Sequence, residues 1–143
     1  MTFQSHLLEG RTALVTGGGT GICRGIALEL ARYGCDVAIT SRSSEHLDPT
    51  AVEIRATGRR AVAVAADVRD PTAVQGVVAK TVEELGGLDI LVNGAAGNFL
   101  CLAENLSPNG FGAVVDIDLK GTFHCAKAAH PHLRRRRGVM LNI

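Results

Sequence analysis

Residues 12–34 read TALVTGGGTGICRGIALELARYG, and the reading of this stretch decides the fold. The apolar run at 12–16 has a strand's pattern, and IALELARYG has a helix's, with Gly34 as its stop. Between them, Thr16 to Gly25 form a glycine-rich turn after a strand and at the opening of a helix. Glycine lets the backbone approach a phosphate closely, and the free N–H groups of the first helical turn then bind the anion. The spacing G-x-G-x-x-G is met in no register, and neither is G-x-x-x-x-G-K-[ST]. What fits is T-G-x-x-x-G-x-(G), with Thr16, Gly17 and Gly21 in place and Cys23 last. Gly17, Gly19, Thr20, Gly21 and Ile22 are the candidate phosphate-cradling residues.

The last glycine of such a turn serves close packing of helix against strand. Cys23 shares a helical face with Ile26, Ala27 and Leu30, so its thiol is expected to point at the sheet. There it acts as a small apolar group that widens the helix–sheet gap slightly. The other reading is a redox-active thiol, activated by the helix N-terminus. Its inward direction argues against that.

Outward from this turn, short apolar runs alternate with helical patterns. Strands are expected at Thr12–Thr16, Asp36–Ser41, Ala61–Ala66, Leu88–Asn93 and Val139–Ile143. Their nearly continuous apolar character suits parallel strands covered on both faces. Asp48-Pro49, Asp70-Pro71 and Ser107-Pro108 each place a capping residue before proline at a first helical position. Gly58 and Gly86 are further stops. The alternation predicts an α/β fold with a doubly wound parallel sheet of five strands, in a single domain over 1–143. The closing run GVMLNI is a strand with no covering helix after it, so the chain is expected to be the N-terminal portion of a longer protein and its sheet incomplete.

Composition narrows the function classes. The chain has 143 residues, 46% hydrophobic, with a formal net charge of +1, which gives no reason to expect nucleic acid or a membrane surface as partner. Arg134 to Arg137 read as solvated cations at a helix C-terminus, with a phosphate-binding patch as the alternative. No apolar stretch approaches the ~20 residues of a membrane span. MTFQSHLLEGR lacks the basic start and long apolar centre of a leader. The four cysteines, at 23, 35, 101 and 125, show no metal-type spacing, so no metal is expected. They read as reduced thiols in a cytoplasmic protein.

The end of the second strand reads AITSR. A site for NAD carries a carboxylate there for the ribose hydroxyls; Thr40 and Ser41 supply none. Arg42 instead offers a guanidinium for a 2′-phosphate, so Ser41 and Arg42 point to NADP(H).

With TGGGTGI, the strand-end pair Asp67-Val68 and the run LDILVNGAAGNF assembled, the chain resembles the short-chain dehydrogenase/reductase family over essentially its whole length. The resemblance implies a Rossmann-type sheet. It also implies that Asp67 and Val68 hold the adenine, and that Asn93, Ala95 and Gly97 line the nicotinamide side. The family's N-N-A-G is altered here to Asn93-Gly94-Ala95-Ala96-Gly97. The variant AAGNF, with VDIDLKGTF at 115–123, looks like the branch of peroxisomal-type 2,4-dienoyl-CoA reductases, which use NADPH to reduce a dienoyl thioester. That likeness implies an acyl-CoA substrate touched by Arg42, Arg69, Phe99 and the helix start Ser107–Asn109, and a homo-oligomer, a tetramer, when full length. CoA phosphates need cations, which suits Arg69; Phe99 reads equally as a loop residue capping the core. A peroxisomal location follows if the source is eukaryotic.

Most of the family carries asparagine where this chain has Asp118, in a tetrad completed by Ser, Tyr and Lys that would lie beyond Ile143. Independently, Phe111, Val114, Val115, Asp118, Thr122 and Cys125 fall on one helical face. Asp118 is therefore expected to be a buried carboxylate with its pKa raised by desolvation. Such a group suits proton delivery to the dienolate left after hydride transfer. The competing reading is that Asp118 hydrogen-bonds backbone at a helix irregularity near Gly121 and has no part in proton transfer. Asp116 points away and can pair with Lys120.

The leading reading is an NADPH-dependent reductase of unsaturated acyl-CoA thioesters. The rivals are another member of the family acting on a 3-oxoacyl or alcohol substrate, and a non-catalytic NADP-binding protein. The 143-residue piece alone is expected to be inactive.

Overall fold

A computed structural model describes residues 3–143. The N-terminal stretch, read above as lacking a leader, includes residues 1–2, which lie outside the described residues. In chain order the elements are β1 (Thr12–Thr16), α1 (Gly21–Arg32), β2 (Asp36–Ser41), α2 (Ser44–Ala56), β3 (Ala61–Ala65) and α3 (Pro71–Leu85). There follow β4 (Ile90–Asn93), a 3-10 turn at Ala103–Asn105, α4 (Pro108–Val115), a π-helical turn at Asp116–Lys120, α5 (Gly121–Arg136) and β5 (Val139–Asn142). The five strands form one parallel sheet in the order β3-β2-β1-β4-β5. The chain winds outward from β1 to β3, then crosses back to β4 and β5. The order therefore reverses between β1 and β4, and in open α/β sheets a crevice forms at the strand ends beside such a reversal.

Side-chain alternation along β1 explains the two-sided core. Ala13 and Val15 face α1 and α2, packing with Ala27, Ala31, Leu47 and Ile54. Leu14 faces the other way, toward α3 and α5, with Val74, Val77, Leu85, Cys125 and Leu133. β1 is buried along its whole length, as its unbroken apolar run requires, while β5 is exposed along its whole length. At the N-terminal ends of the strands two buried aspartates tie the sheet to its loops. Asp36 accepts from the Arg60 backbone N–H and pairs with Arg59 and Arg60. Asp89 accepts from Thr12 N at 3.0 Å and pairs with Arg11 and Arg136.

The expected strands are present, with β3 and β5 one residue shorter and β4 starting at Ile90. Gly34, Gly58 and Gly86 all stand at helix ends with positive φ. Asp70 and Ser107 cap α3 and α4 as expected: Asp70 accepts from Thr72 N and Ala73 N, and Ser107 from Gly110 N. Asp48-Pro49 does not open a helix. α2 starts five residues earlier because Ser43 accepts from Glu45 N and takes the cap, leaving Pro49 inside the helix. The cost of a proline there is offset by the burial of Leu47, Thr50, Ala51 and Ile54. Arg134, Arg135 and Arg136 are exposed in the last turn of α5, where cations suit the helix dipole; Arg137 follows as its cap, and Arg136 also reaches Asp89.

Candidate functional site

The C-terminal ends of β1 to β4 open onto one cleft of about 840 Å³. Gly17, Gly19, Thr20, Gly21 and Ile22 line it from the turn after β1, Ser41 and Arg42 from the end of β2, and Asp67 and Val68 from the loop after β3. Ala95 lines it from the loop after β4, together with Gly94 and Ala96. Residues as distant in sequence as Gly17 and Ala96 are thus brought to one cleft.

The turn is shaped for an anion. Gly17 and Gly21 hold φ of 70° and 55°, in the left-handed region that favours glycine. A Cβ on Gly21 would meet nothing within 4 Å, so the space over the turn is open. Helices α2, α3 and α4 are each closed by a side-chain cap from Ser43, Asp70 and Ser107. Thr20, at the same position of α1, makes no such bond, and the first turn of α1 has no acidic residue. The N–H groups facing the cleft are therefore left for another acceptor.

At the end of β2, Arg42 is exposed and no carboxylate stands beside it in sequence; Ser41 Oγ donates to the Ser43 carbonyl at 2.9 Å. Asp67 is held by its neighbour. The Arg69 guanidinium closes on its carboxylate with contacts of 2.5–3.0 Å, and Arg69 N–H adds a bond of 2.9 Å. The hydrogen bond from the Arg69 side chain, more than anything else, holds Asp67 below the usual carboxylate range against its partial burial, and the charge of Arg42 adds to this. Arg69 is thus turned to Asp67 rather than standing free toward an outside anion. Val68 is buried, and its carbonyl lies 2.9 Å from His124 Nδ1.

Past β4, Asn93 stands behind the cleft wall. It is buried, its Nδ2 donates to Asn142 Oδ1 at 2.9 Å, and its own Oδ1 has no partner. Thr16, a residue of the turn motif that spacing alone does not mark as a site residue, supports this wall. Its buried Oγ1 accepts from both Gly94 N and Ala95 N at 3.0 Å, so it ties the wall to the turn. Gly97 N donates to Asp118 Oδ1 at 2.9 Å, and a Cβ on Gly97 would strike Ile117 at 2.5 Å. Cys23, Ser43, His46 and Ile117 also line the cleft, and nothing in the spacing beyond the helical face of Cys23 pointed to them.

The thiol of Cys23 does face the sheet. It is buried, its Sγ lies 3.5 Å from the Gly94 carbonyl oxygen, and burial pushes its pKa up. That opposes an activated thiolate.

Asp118 corrects an expectation. It is exposed, not buried on an apolar stripe, and Phe111 of that stripe is 60% exposed. The π-helical turn at Asp116–Lys120 adds a residue to the helical repeat and breaks the assumed period. Ile117 takes the inward place and packs against the core, while Asp118 turns to the loop at Gly97. The bond to backbone at an irregularity next to Gly121 is the competing reading of Asp118, and it is the geometry observed. Asp116 pairs with Lys120 at 2.6 Å, as expected.

Of the residues expected at an acyl-CoA, Phe99 is half exposed, and its ring lies 2.7 Å from where a Cβ on Gly110 would stand. Ser107 is engaged as the cap of α4, and Asn109 is exposed in that helix's first turn. Among the described residues no group of His, Cys, Asp and Glu could hold a metal ion, and no helix is long and apolar enough to cross a membrane.

The short chain dehydrogenase family model matches residues 11–143. A peroxisomal 2,4-dienoyl-CoA reductase of Arabidopsis thaliana is 43% identical over 133 residues, 93% of this chain and 45% of the relative. One from Danio rerio is 43% identical over 143 residues, 99% of this chain and 48% of the relative. The chain therefore spans about half the length of these curated relatives. A solved short chain dehydrogenase from Burkholderia cenocepacia, in complex with NADP, superimposes with a TM-score of 0.84 at 41% identity, over 89% of this chain and 52% of that one.

Proposed function

The chain belongs to the short chain dehydrogenase family, and from that premise and the geometry of the cleft we propose that the protein is an NADPH-dependent reductase of unsaturated acyl-CoA thioesters, similar to 2,4-dienoyl-CoA reductases. The observation that carries the nucleotide half is the uncapped N-terminus of α1, which opens on the cleft between Gly17 and Ile22 while the caps of α2, α3 and α4 are filled. Gly17, Gly19, Thr20, Gly21 and Ile22 would hold the pyrophosphate by backbone N–H groups and the helix dipole. Arg42, beside Ser41, would take the 2′-phosphate, since β2 ends without the carboxylate that would otherwise bind the ribose hydroxyls. Asp67 and Val68 would flank the adenine, and Ala95, braced through Thr16, the nicotinamide, with Asn93 behind it and Gly97 beyond it. The bound nucleotide supplies a hydride.

The thioester half rests on the 43% identity to two proteins named 2,4-dienoyl-CoA reductases. Phe99 and Ser107 lie against Gly110, next to Asn109 and outside the lining of the cleft, and would meet the substrate on the side where the chain leaves Ala96. Arg69 would serve the CoA phosphates only by leaving Asp67, so its role is in orienting that carboxylate. Asp118 holds the loop through Gly97 N–H with one oxygen and keeps the other for a proton or a water.

The test is nucleotide oxidation by the full-length protein, followed at the reduced nicotinamide's absorbance, with dienoyl-CoA against 3-oxoacyl-CoA. Faster turnover of the dienoyl thioester with NADPH than with NADH is expected. Consumption with the 3-oxoacyl thioester alone would move the assignment elsewhere in the family, and nucleotide binding without turnover would make the protein non-catalytic. Arg42→Ala is expected to lower the preference for NADPH over NADH by about tenfold or more, the loss of one charge-assisted phosphate contact. An unchanged preference removes Arg42 from the phosphate site.

A further inference from the structure

Gly94 stands where an added side chain would run into the Cys23 thiol as it is placed. A Cβ built on it would lie 2.1 Å from the Sγ of Cys23, 3.4 Å from the Thr16 carbonyl oxygen and 3.7 Å from the Cys23 Cβ. Non-bonded heavy atoms of this kind rest at about 3.5–4.0 Å, so the first contact is far inside the limit. The other side is closed as well, since a Cβ on Gly17 would come within 2.8 Å of the Gly94 carbonyl oxygen. The Gly94 peptide is thus held between the phosphate-cradling turn and the thiol on the first turn of α1. Cys23 in turn occupies the position where helix-to-strand packing in such a turn calls for glycine. The volume gained at residue 23 is the volume given up at residue 94.

We propose that Cys23 is a positioning residue of the nucleotide cleft: its thiol and the missing side chain of Gly94 make one exchangeable volume, which sets the Gly94–Ala96 wall against the Gly17–Ile22 turn. The inference rests on the nucleotide reading above. The thiol acts here by its size and by its contact with the Gly94 carbonyl. An added carbon at position 94 with the thiol in place drives the wall outward, into the space the nicotinamide half of the nucleotide needs. Removal of the thiol alone leaves a void under the wall. Moving the bulk from position 23 to position 94 restores contact with the wall in its original place.

The experiment measures NADPH affinity, from the nucleotide's fluorescence, and thermal unfolding on the full-length protein. The variants are Gly94→Ala, Cys23→Gly, the double Cys23→Gly/Gly94→Ala, and Ala27→Gly as a control. Ala27 is fully buried one turn along the same helix and does not line the cleft, so it reads the effect of lost helix packing alone. Gly94→Ala is expected to weaken NADPH binding by about tenfold or more, in line with the cost of overpacking. The double variant should bind within a few-fold of wild type, and Ala27→Gly should lower the melting temperature and leave affinity unchanged. Should Gly94→Ala fail to fold, the double variant must still give folded protein that binds NADPH. A double variant no better than Gly94→Ala overturns the proposal, as does Gly94→Ala with wild-type affinity, or Ala27→Gly weakening affinity as much. A wild-type protein that binds no NADPH overturns the nucleotide reading itself, visible before any variant is made.

Discussion

Thr16 offers the sharpest measure of how the cleft is held together. Its side chain is 1% exposed, and its Oγ1 accepts from Gly94 N and Ala95 N, both at 3.0 Å, with a long 3.4 Å contact to the Val92 carbonyl. Thr16→Val keeps the shape and removes the acceptor. Two backbone N–H groups then lose their partner together. Each orphaned donor costs about 1–3 kcal/mol when buried, but Gly94 and Ala95 are only half-buried, so the low end applies. The expected loss is therefore about 2 kcal/mol, with the weak contact to Val92 adding little. That corresponds to a shift of about thirtyfold in the folding equilibrium. Urea unfolding of the full-length protein should show a lower midpoint at unchanged slope. NADPH affinity should fall as well, because the freed peptides form the cleft wall. Thr16→Ser, which keeps the oxygen, should recover most of both. A loss below about 0.5 kcal/mol for Thr16→Val, the size of an ordinary neutral substitution, would refute the argument.

Acid should loosen the opposite end of the sheet. Burial alone would raise the carboxyls of Asp36 and Asp89, but hydrogen bonds and charges from Arg60 and Arg59, and from Arg11, Thr12 N and Arg136, outweigh it and hold both low. Their stabilisation is present above the unfolded carboxyl value, about 3.9, and is lost as pH falls through the lower folded values. The melting temperature should therefore drop below about pH 4, and Asp89→Asn should flatten that drop while lowering the plateau at neutral pH. At the cleft, Asp118→Asn keeps an acceptor for Gly97 N–H and removes the carboxylate. Turnover of dienoyl-CoA should fall with nucleotide affinity unchanged, and unchanged turnover would confine Asp118 to holding the loop. Ser107→Ala, which uncaps α4, should cost about 1 kcal/mol in denaturant unfolding, and no loss would mean the cap is replaced by solvent.

How much of this was legible in the sequence depends on how local each feature is. The strands were readable because β1 and β2 are buried on both faces and so carry unbroken apolar runs. The start of α2 was not, because Ser43 and Asp48 are both competent caps and the choice is made by burial of Leu47 and Ile54 against the sheet. At the site, helical spacing gave the inward direction of Cys23. It could not give what the thiol meets, since Gly94 lies 71 residues on. The same limit hid Thr16's two bonds to the wall, 78 and 79 residues away. Asp118 was misplaced for a different reason: a period of 3.6 was carried through Asp116–Lys120, where the backbone adopts a π-helical turn. No propensity in DIDLK announces that turn, whose neighbours are fixed by tertiary packing, with Ile117 against the core and Gly121 under Val68. The turn aims the Asp118 carboxylate at Gly97 N–H, so the helix that carries Asp118 also holds the loop that carries Ala95. Cys23, Thr16 and Asp118 thus fix the same stretch from three directions, by volume, by a hydroxyl acceptor and by a carboxyl acceptor. The side of the cleft proposed for the nicotinamide rests on side chains that lie behind it or at its rim, so its glycines are legible in a motif while the contacts of its supports are not.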